Sequence, residues 1–541
     1  MSIGEWIERG EQRINRYWVH RQNNRQITWL AQRVRQHAPL YLGTAPVVFF
    51  NASTRLSGLS LNAAFALLSS WGLSLAGVPV VNFVCEMGMS RCVLGTNRKD
   101  PHRLPPCREC IKQSDAIYAF SDARRFQYQL DPSVESALAE MNLEALMETE
   151  IEGLPLGKLV LPSVRWALRS YHLAANEPTL FLYRQYLLSA WWLAQEFGRL
   201  LDEVQPQAVV VFNGVSYPEA TARWVAEQHS LRVITHEVCH LPLTAFFVKG
   251  DATAYPIDVP PDFKLSPVQE KRLDAYLEQR FKGNFSMAGV RFWPEMQNLS
   301  ADFLQRAGQF KQIVPVFTNV IFDTSQSHSN VVFEQMFAWL EQVLEIIQAH
   351  PETFFVIRAH PDETRPGKES QENVADWVKR NRVDDLPNVL FVDSRQYFSS
   401  YELIQRSKFV MVYNSTIGLE ATLLGAAVLC GGKARFTQLP IVFFPQTPQD
   451  HRRQAEEFLA AGQVQVPAEF TNNARRFIYL NLYRACLPFG DLLENDGVWP
   501  GYVSLKDFDY DALQPGYSPT MKVIVNGIVN DRPFLMDEKP S

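Results

Sequence analysis

Cysteine is scarce in this chain, seven among 541 residues, too few for a fold built on disulfides. Basic charge is not in excess either. Lysine and arginine number 52 against 58 acidic residues, a net charge of -6, so no broad positive field is available and a general nucleic-acid binder is excluded. No apolar stretch opens the chain: Glu5, Glu8 and Arg9 fall where the core of a secretory signal would begin. Together with the scarce cysteine this leads us to expect a protein of the reducing cytoplasm. Low-complexity tracts and fixed-period repeats are absent, and the 33 prolines are scattered. The one long run without charge, Leu56 to Cys85, is long enough for a bilayer. Gly72, Gly77, Pro79 and Asn82 divide it into a helix-like and a strand-like half, which reads as a buried helix followed by a buried strand.

What is present is an ordinary globular composition, 46% hydrophobic and 20% charged, in a chain too long for one core. The segment Glu5 to Gln36 carries seven arginines, with Trp6, Ile7, Ile14, Tyr17, Trp18, Ile27 and Leu30 at partly helical spacing. It reads as a helix packed on its domain with a solvated basic face. A helix lying on an anionic membrane, and hence peripheral association at the inner face, is the alternative left open.

Strand-helix-strand patterning begins at Pro46–Phe50 and Pro79–Cys85. A mainly helical stretch covers 115–203, and a second α/β unit holds the strands Ala208–Phe212 and Arg232–His236. A charged helix is predicted at Ser266–Phe281. Strands at 312–317, 353–358, 389–392, 409–413 and 427–430 then alternate with helices, the signature of a parallel sheet covered on both faces. The predicted organisation is a Rossmann-like acceptor domain over 1–300 with helical and cysteine-containing insertions, and a second Rossmann-like domain over 301–480. A tail, 481–541, returns to the first domain.

Two strand ends in the second domain carry the chemistry. Tyr413-Asn414-Ser415-Thr416-Ile417-Gly418-Leu419-Glu420 runs from an apolar strand into a helix. Asn414 or Ser415 is suited to cap that helix, with phosphate held by its free amides and hydroxyls. Gly418 would admit a ligand to the backbone, Glu420 would accept ribose hydroxyls, and Gly425 would close the helix. Ile357-Arg358-Ala359-His360-Pro361-Asp362 ends another strand of the same sheet, where a proline-fixed turn presents an imidazole beside a permanent cation. Strand ends in one parallel sheet share a ligand crevice. Thr318 and Asn319, at the end of the first strand of that domain, join as further candidates, against the equal reading of an Asx-type turn.

The segments FVIRAHPDE and VYNSTIGLEATLLGAAVLCGG resemble the capsule polysaccharide biosynthesis family, which includes Kdo transferases, and more distantly bacterial sialyltransferases. The likeness spans roughly 311–436. It implies a GT-B fold of two Rossmann-like domains facing a cleft, with donor nucleotide phosphate on His360, Ser415 and Thr416. Ala426-Ala427 stands where many relatives have Lys-Pro. The likeness implies a nucleotide-sugar donor, tilted toward a CMP-linked one, with no cofactor required, and a saccharide or lipid-linked acceptor.

On the acceptor side, Asn213-Gly214 and His236-Glu237 end two strands of the first domain. An inverting transfer needs a base, for which Glu237 is the first candidate and His236 the second. Cys85, Cys92, Cys107 and Cys110, spaced C-x6-C-x14-C-x2-C, offer four thiolates for structural zinc, against reduced cysteines that pack a loop. The sequence reading is a glycosyltransferase of surface polysaccharide synthesis. A CDP-polyol phosphotransferase of teichoic-acid type and a non-catalytic GT-B-like scaffold remain as alternatives.

Overall fold

The computed structural model describes residues 3–41, 43–52, 57–282, 298–323, 325–365, 369–396 and 399–538, with side chains from residue 15 onward. Trp6, Ile7 and Ile14 of the first helix, Leu56 of the uncharged run and the end of the tail after Glu538 therefore lie outside what is described.

Two parallel sheets of the same strand order organise the chain. The first holds β1 (Val47–Asn51), β2 (Val80–Cys85), β3 (Asp122–Phe126), β4 (Ala208–Phe212), β5 (Arg232–Val238) and β6 (Thr244–Lys249). The second holds β7 (Gln312–Phe317), β8 (Thr353–Arg358), β9 (Val389–Val392), β10 (Val410–Val412) and β11 (Val428–Cys430), and β12 (Leu487–Pro488) returns to the first. Their orders are β12-β6-β5-β4-β1-β2-β3 and β11-β10-β7-β8-β9. The parallel parts, β3-β2-β1-β4-β5 and β9-β8-β7-β10-β11, share one doubly wound topology, in agreement with the GT-B-like class.

Burial on both faces explains why these strands are apolar throughout. In β1, Val47 and Phe49 join the core under the helix Leu61–Leu75, while Val48 and Phe50 join the core under the helix Glu177–Val204. In β8, Phe354 and Val356 face one layer and Phe355 and Ile357 the other.

Three expectations are corrected. β3 lies within the stretch read as helical; its sequence Asp-Ala-Arg-Arg-Phe occupies a sheet edge, where charged side chains are solvated and no apolar pattern is needed. β6 went unread because it pairs antiparallel outside the parallel alternation. The cysteines are not all reduced: Cys239 and Cys486 form a disulfide across a sequence separation of 247, with Cα atoms 5.5 Å apart.

The uncharged run resolves as expected, with the buried helix Leu61–Leu75 and then β2; among the described residues no helix is long and apolar enough to cross a membrane. The first helix spans Ile3–His37 and buries Ile27, Leu30, Ala31 and Val34 in the first core. Asn23 fastens it by donating to the Val503 carbonyl and accepting from the Leu505 amide. After Cys486 the chain stays with the first sheet, where Met521, Ile524 and Ile528 share a core with Phe49 and Leu67.

Candidate nucleotide-binding site

In the second sheet the chain runs outward from β7 through β8 to β9, then crosses to the opposite side for β10. The carboxyl ends of β7 and β10 therefore flank a topological switch point, the position where open α/β sheets leave a crevice. Asn319 and Asn414 span it, with Asn319 Nδ2 donating to Asn414 Oδ1 at 2.6 Å. Asn319 Oδ1 accepts from the Val320 amide, and Asn414 Nδ2 donates to Ser325 Oγ and Ser329 Oγ. These amides fix the floor of the crevice. Asn414 is thus a bridge between strand ends and not the helix cap expected of it.

Ser415 and Thr416 stand above that floor. Thr416 occupies the N-cap position of the helix Ile417–Leu423 without a side-chain cap. Ser415 is half-buried, Thr416 is exposed, and among the described residues neither hydroxyl makes a hydrogen bond. Gly418 has a different role from the one predicted. A Cβ there would lie 3.0 Å from the Phe436 ring and 3.1 Å from Val412 Cγ2, so the glycine permits close helix-sheet packing. Gly425, with φ +84°, follows the helix in the left-handed conformation expected of it.

His360 leaves β8 on the other side of β7. Its Nδ1 accepts from the Asp362 amide at 3.2 Å, so in the neutral ring the proton resides on Nε2, the donor nitrogen. Burial holds the imidazole below its ordinary pKa, and Arg358 works in the same direction against Asp362 and Asp323. The ring is therefore a neutral donor at physiological pH. Arg358 is 4% exposed, and burial lowers its guanidinium to about 10. Its carbonyl receives both the amide and the hydroxyl of Thr318, which stitches β8 to the β7 turn. Asn319, His360 and Ser415 thus occupy the ends of three adjacent strands.

Glu420 is corrected. Its Oε1 accepts from Arg280 Nε at 2.9 Å and from a second guanidinium nitrogen at 2.5 Å, and its Oε2 accepts from the Tyr401 hydroxyl at 2.6 Å. A buried carboxylate with both oxygens engaged is an anchor for the helix Pro267–Phe281, in place of a free ribose acceptor.

On the first domain, the pair at the end of β5 divides by strand alternation. His236 is 1% exposed and stacks on Phe247 at 5.2 Å between centroids; it points to the opposite side of the strand from Glu237, where it lines a small pocket with Asn51 and Glu219. Glu237 is half-buried and accepts from Asn213 Nδ2 at 2.9 Å and from the Val238 amide at 2.8 Å. Asn213 holds that geometry with φ 62°, its Oδ1 taking the amides of Val215 and Ser216. Glu237, Asp323 and Arg435 all act electrostatically on Tyr255, and the Arg435 guanidinium lies 3.7 Å from the Tyr255 ring centroid. Residues of both halves therefore meet around Tyr255.

Sequence reasoning missed Arg169. It is 4% exposed, in the left-handed conformation at the end of the helix Leu156–Leu168. Its guanidinium stacks on Trp166 at 3.9 Å and lies 5.1 Å from the ring of Phe322, in the turn after β7. Nε and one terminal nitrogen find no acceptor among the described residues, and burial lowers the group to about 10. Arg98 adds to that lowering and Glu369 opposes it; a buried guanidinium with two nitrogens lacking an acceptor among the described residues is costly unless a ligand supplies one. No motif signalled it, because its burial depends on Phe322, distant in sequence.

The four clustered cysteines stand outside the disulfide and are each half-buried.

Residues 278–458, about a third of the chain, match the family described as capsule polysaccharide biosynthesis protein. The matched region contains all five strands of the second sheet together with Arg280, Asn319, His360, Ser415 and Glu420. No curated protein sequence matches the chain. Among solved structures, the β-Kdo 2,4 transferase of Thermosulfurimonas dismutans KpsC is 13% identical with a TM-score of 0.34, over 52% of this chain and 80% of that one. The β-Kdo 2,7 transferase of the same protein is 15% identical with a TM-score of 0.32, over 61% and 89%. The UDP-GlcNAc 2-epimerase of Methanocaldococcus jannaschii in complex with UDP-GlcNAc and UDP is 9% identical with a TM-score of 0.25, over 80% and 98%.

Proposed function

We propose that this protein is a GT-B-type glycosyltransferase that moves a sugar from a nucleotide-activated donor to a saccharide or lipid-linked acceptor during capsule-like polysaccharide synthesis. The observation that carries the reading is the switch-point crevice of the second sheet. There the neutral donor His360 and the unpartnered hydroxyls of Ser415 and Thr416 flank the Asn319–Asn414 bridge.

In this reading a donor phosphate lies between His360 and Ser415-Thr416, within the field of Arg358. Arg169 contributes a second cation from the first domain when the halves close on the donor. The leaving nucleotide gains negative charge as the glycosidic bond breaks, and prearranged donors stabilise that charge at little reorganisation cost. Glu237, held by Asn213, takes the proton of the acceptor hydroxyl. Orientation in the cleft supplies the rest of the barrier reduction. A CMP-linked donor is the first to test, because an anionic sugar would also engage Arg169.

Thermal shift against CMP, CDP, UDP and GDP, on the parent and on His360→Ala and Ser415→Ala, tests the site. One nucleotide should raise the parent Tm, and each variant should weaken its binding about tenfold or more, the loss of one to two hydrogen bonds to a charged group. Equal stabilisation of parent and variants would move the site elsewhere. The absence of any nucleotide response would favour a non-catalytic scaffold.

A further inference from the structure

Cys85, Cys92, Cys107 and Cys110 come from three segments and line one cavity. Cys85 is the last residue of β2 and Cys92 precedes the short turn Val93–Gly95. Cys107 and Cys110 occupy the first turn of the helix Cys107–Ile117. The latter two share a face by their i, i+3 spacing, at the positive end of an eleven-residue helix. Met87 and Met89 complete a lining that is almost wholly apolar or sulfur-bearing.

Two local features go beyond simple packing. The Gly88 amide donates to Cys85 Sγ at 3.2 Å, and the Gly95 amide donates to Cys92 Sγ at 3.3 Å. Each belongs to a Cys-x-x-Gly turn that aims a backbone N–H at the sulfur. A Cβ on Gly95 would lie 3.0 Å from Cys92 Sγ and 2.6 Å from Pro105 Cβ, and one on Gly88 only 2.2 Å from the Phe126 ring. Only glycine permits either approach. Amide donors to sulfur favour thiolate over thiol and orient it as a ligand. Four sulfurs, two of them with such a donor, line one apolar cavity and form a ligand set.

A single tetrahedral zinc, with Zn–S near 2.3 Å, needs its four sulfurs about 3.8 Å apart. Among the described residues, the one trio of ligand atoms within 4.8 Å of one another is Cys239, His240 and Cys486, so no three of the four clustered cysteines stand as close as one zinc requires. A four-iron, four-sulfide cubane holds its thiolates roughly 6.5 Å apart, and these four line a cavity without meeting at one point.

We propose that Cys85, Cys92, Cys107 and Cys110 ligate a four-iron, four-sulfide cluster. Each thiol gives up its proton as its sulfur binds an iron. No redox step in glycosyl transfer is required of the centre. Its ligands join the end of β2, the turn at Cys92 and the helix Cys107–Ile117 into one unit at the carboxyl edge of the first sheet. The assignment is independent of the donor site.

The test is metal analysis of the full chain purified without oxygen. Iron, zinc and acid-labile sulfide are counted per chain and the visible spectrum is recorded before and after dithionite. About four irons and four sulfides per chain, with a broad iron-thiolate absorption that bleaches on reduction, are expected. Cys107→Ser and Cys110→Ser should each lose more than half of the iron. Cys430→Ser, buried in the second half, should keep it. One zinc without sulfide, or a chain that takes up neither iron nor sulfide on anaerobic reconstitution, overturns the proposal. The parent's stoichiometry decides the question even where a serine variant fails to fold.

Discussion

Glu363 follows His360 in the turn that presents the imidazole, and it is 2% exposed. Burial raises its carboxyl to about 8, with Asp393 and Asp376 adding to the shift and the Val374 amide opposing it. The folded chain therefore binds the Glu363 proton more tightly than the unfolded chain, whose value is near 4.5. The resulting stability is fully present below about pH 4.5 and is lost as pH rises through about 8. Glu363→Gln keeps a neutral, isosteric partner for Val374 and removes the titration. Denaturant unfolding at pH 5, 7 and 9 should show the variant gaining on the parent with pH, by on the order of 2–4 kcal/mol at the upper end. A constant difference across the series would mean that the carboxyl is already ionised in the fold. Because the same turn holds His360, donor binding should weaken in the parent over the same range and less in Glu363→Gln.

At the scale of elements, the helix Pro267–Phe281 is joined to the second sheet by a buried ion pair. Arg280 and Glu420 have side chains 13% and 6% exposed, and the Tyr401 hydroxyl completes the carboxylate. Removing either charge alone leaves the other buried, which costs about 3–5 kcal/mol. Arg280→Met and Glu420→Leu should each destabilise by about that much, whereas the double variant should recover at least half, as chemical denaturation of all four chains would show. Additive losses would argue that the two groups act separately. The pair also illustrates which features a sequence discloses. Strands β7 to β11 were legible because burial on both faces makes them apolar runs between helices, and the ends of β7, β8 and β10 followed from that pattern. Glu420 was misread because its partner lies 140 residues earlier. Arg169 was invisible because its burial depends on Phe322 of the other half. β3 was missed because an edge strand can be as charged as a surface helix. Local pattern thus revealed the sheets, while the partners of charged groups required the tertiary fold.

In the whole molecule, a second tie between the halves lies at Glu372. Its Oε2 accepts from Ser170 Oγ at 2.9 Å and from the amides of Tyr171 and His172 at 2.7 and 2.8 Å, while its Oε1 meets His172 Nδ1 at 2.6 Å. Trp166 and Tyr171, from the first half, pack against the core beneath β7 and β8. A carboxylate with several donors from one short segment acts as a clasp, and it lies on the side of the boundary where Arg169 meets Phe322. The core in which Phe246, Tyr255 and Ile257 pack with Phe317 and Phe354 survives loss of that clasp, so the halves should loosen without separating. Glu372→Ala is therefore expected to enlarge the radius of gyration in solution scattering while leaving the secondary structure intact. If Arg169 reaches the donor only when the halves are held together, the same variant should lower turnover about tenfold or more with a smaller effect on nucleotide binding. An unchanged scattering profile together with lost activity would place Glu372 in the chemistry itself. An unchanged profile with full activity would show that the shared cores hold the two halves without it.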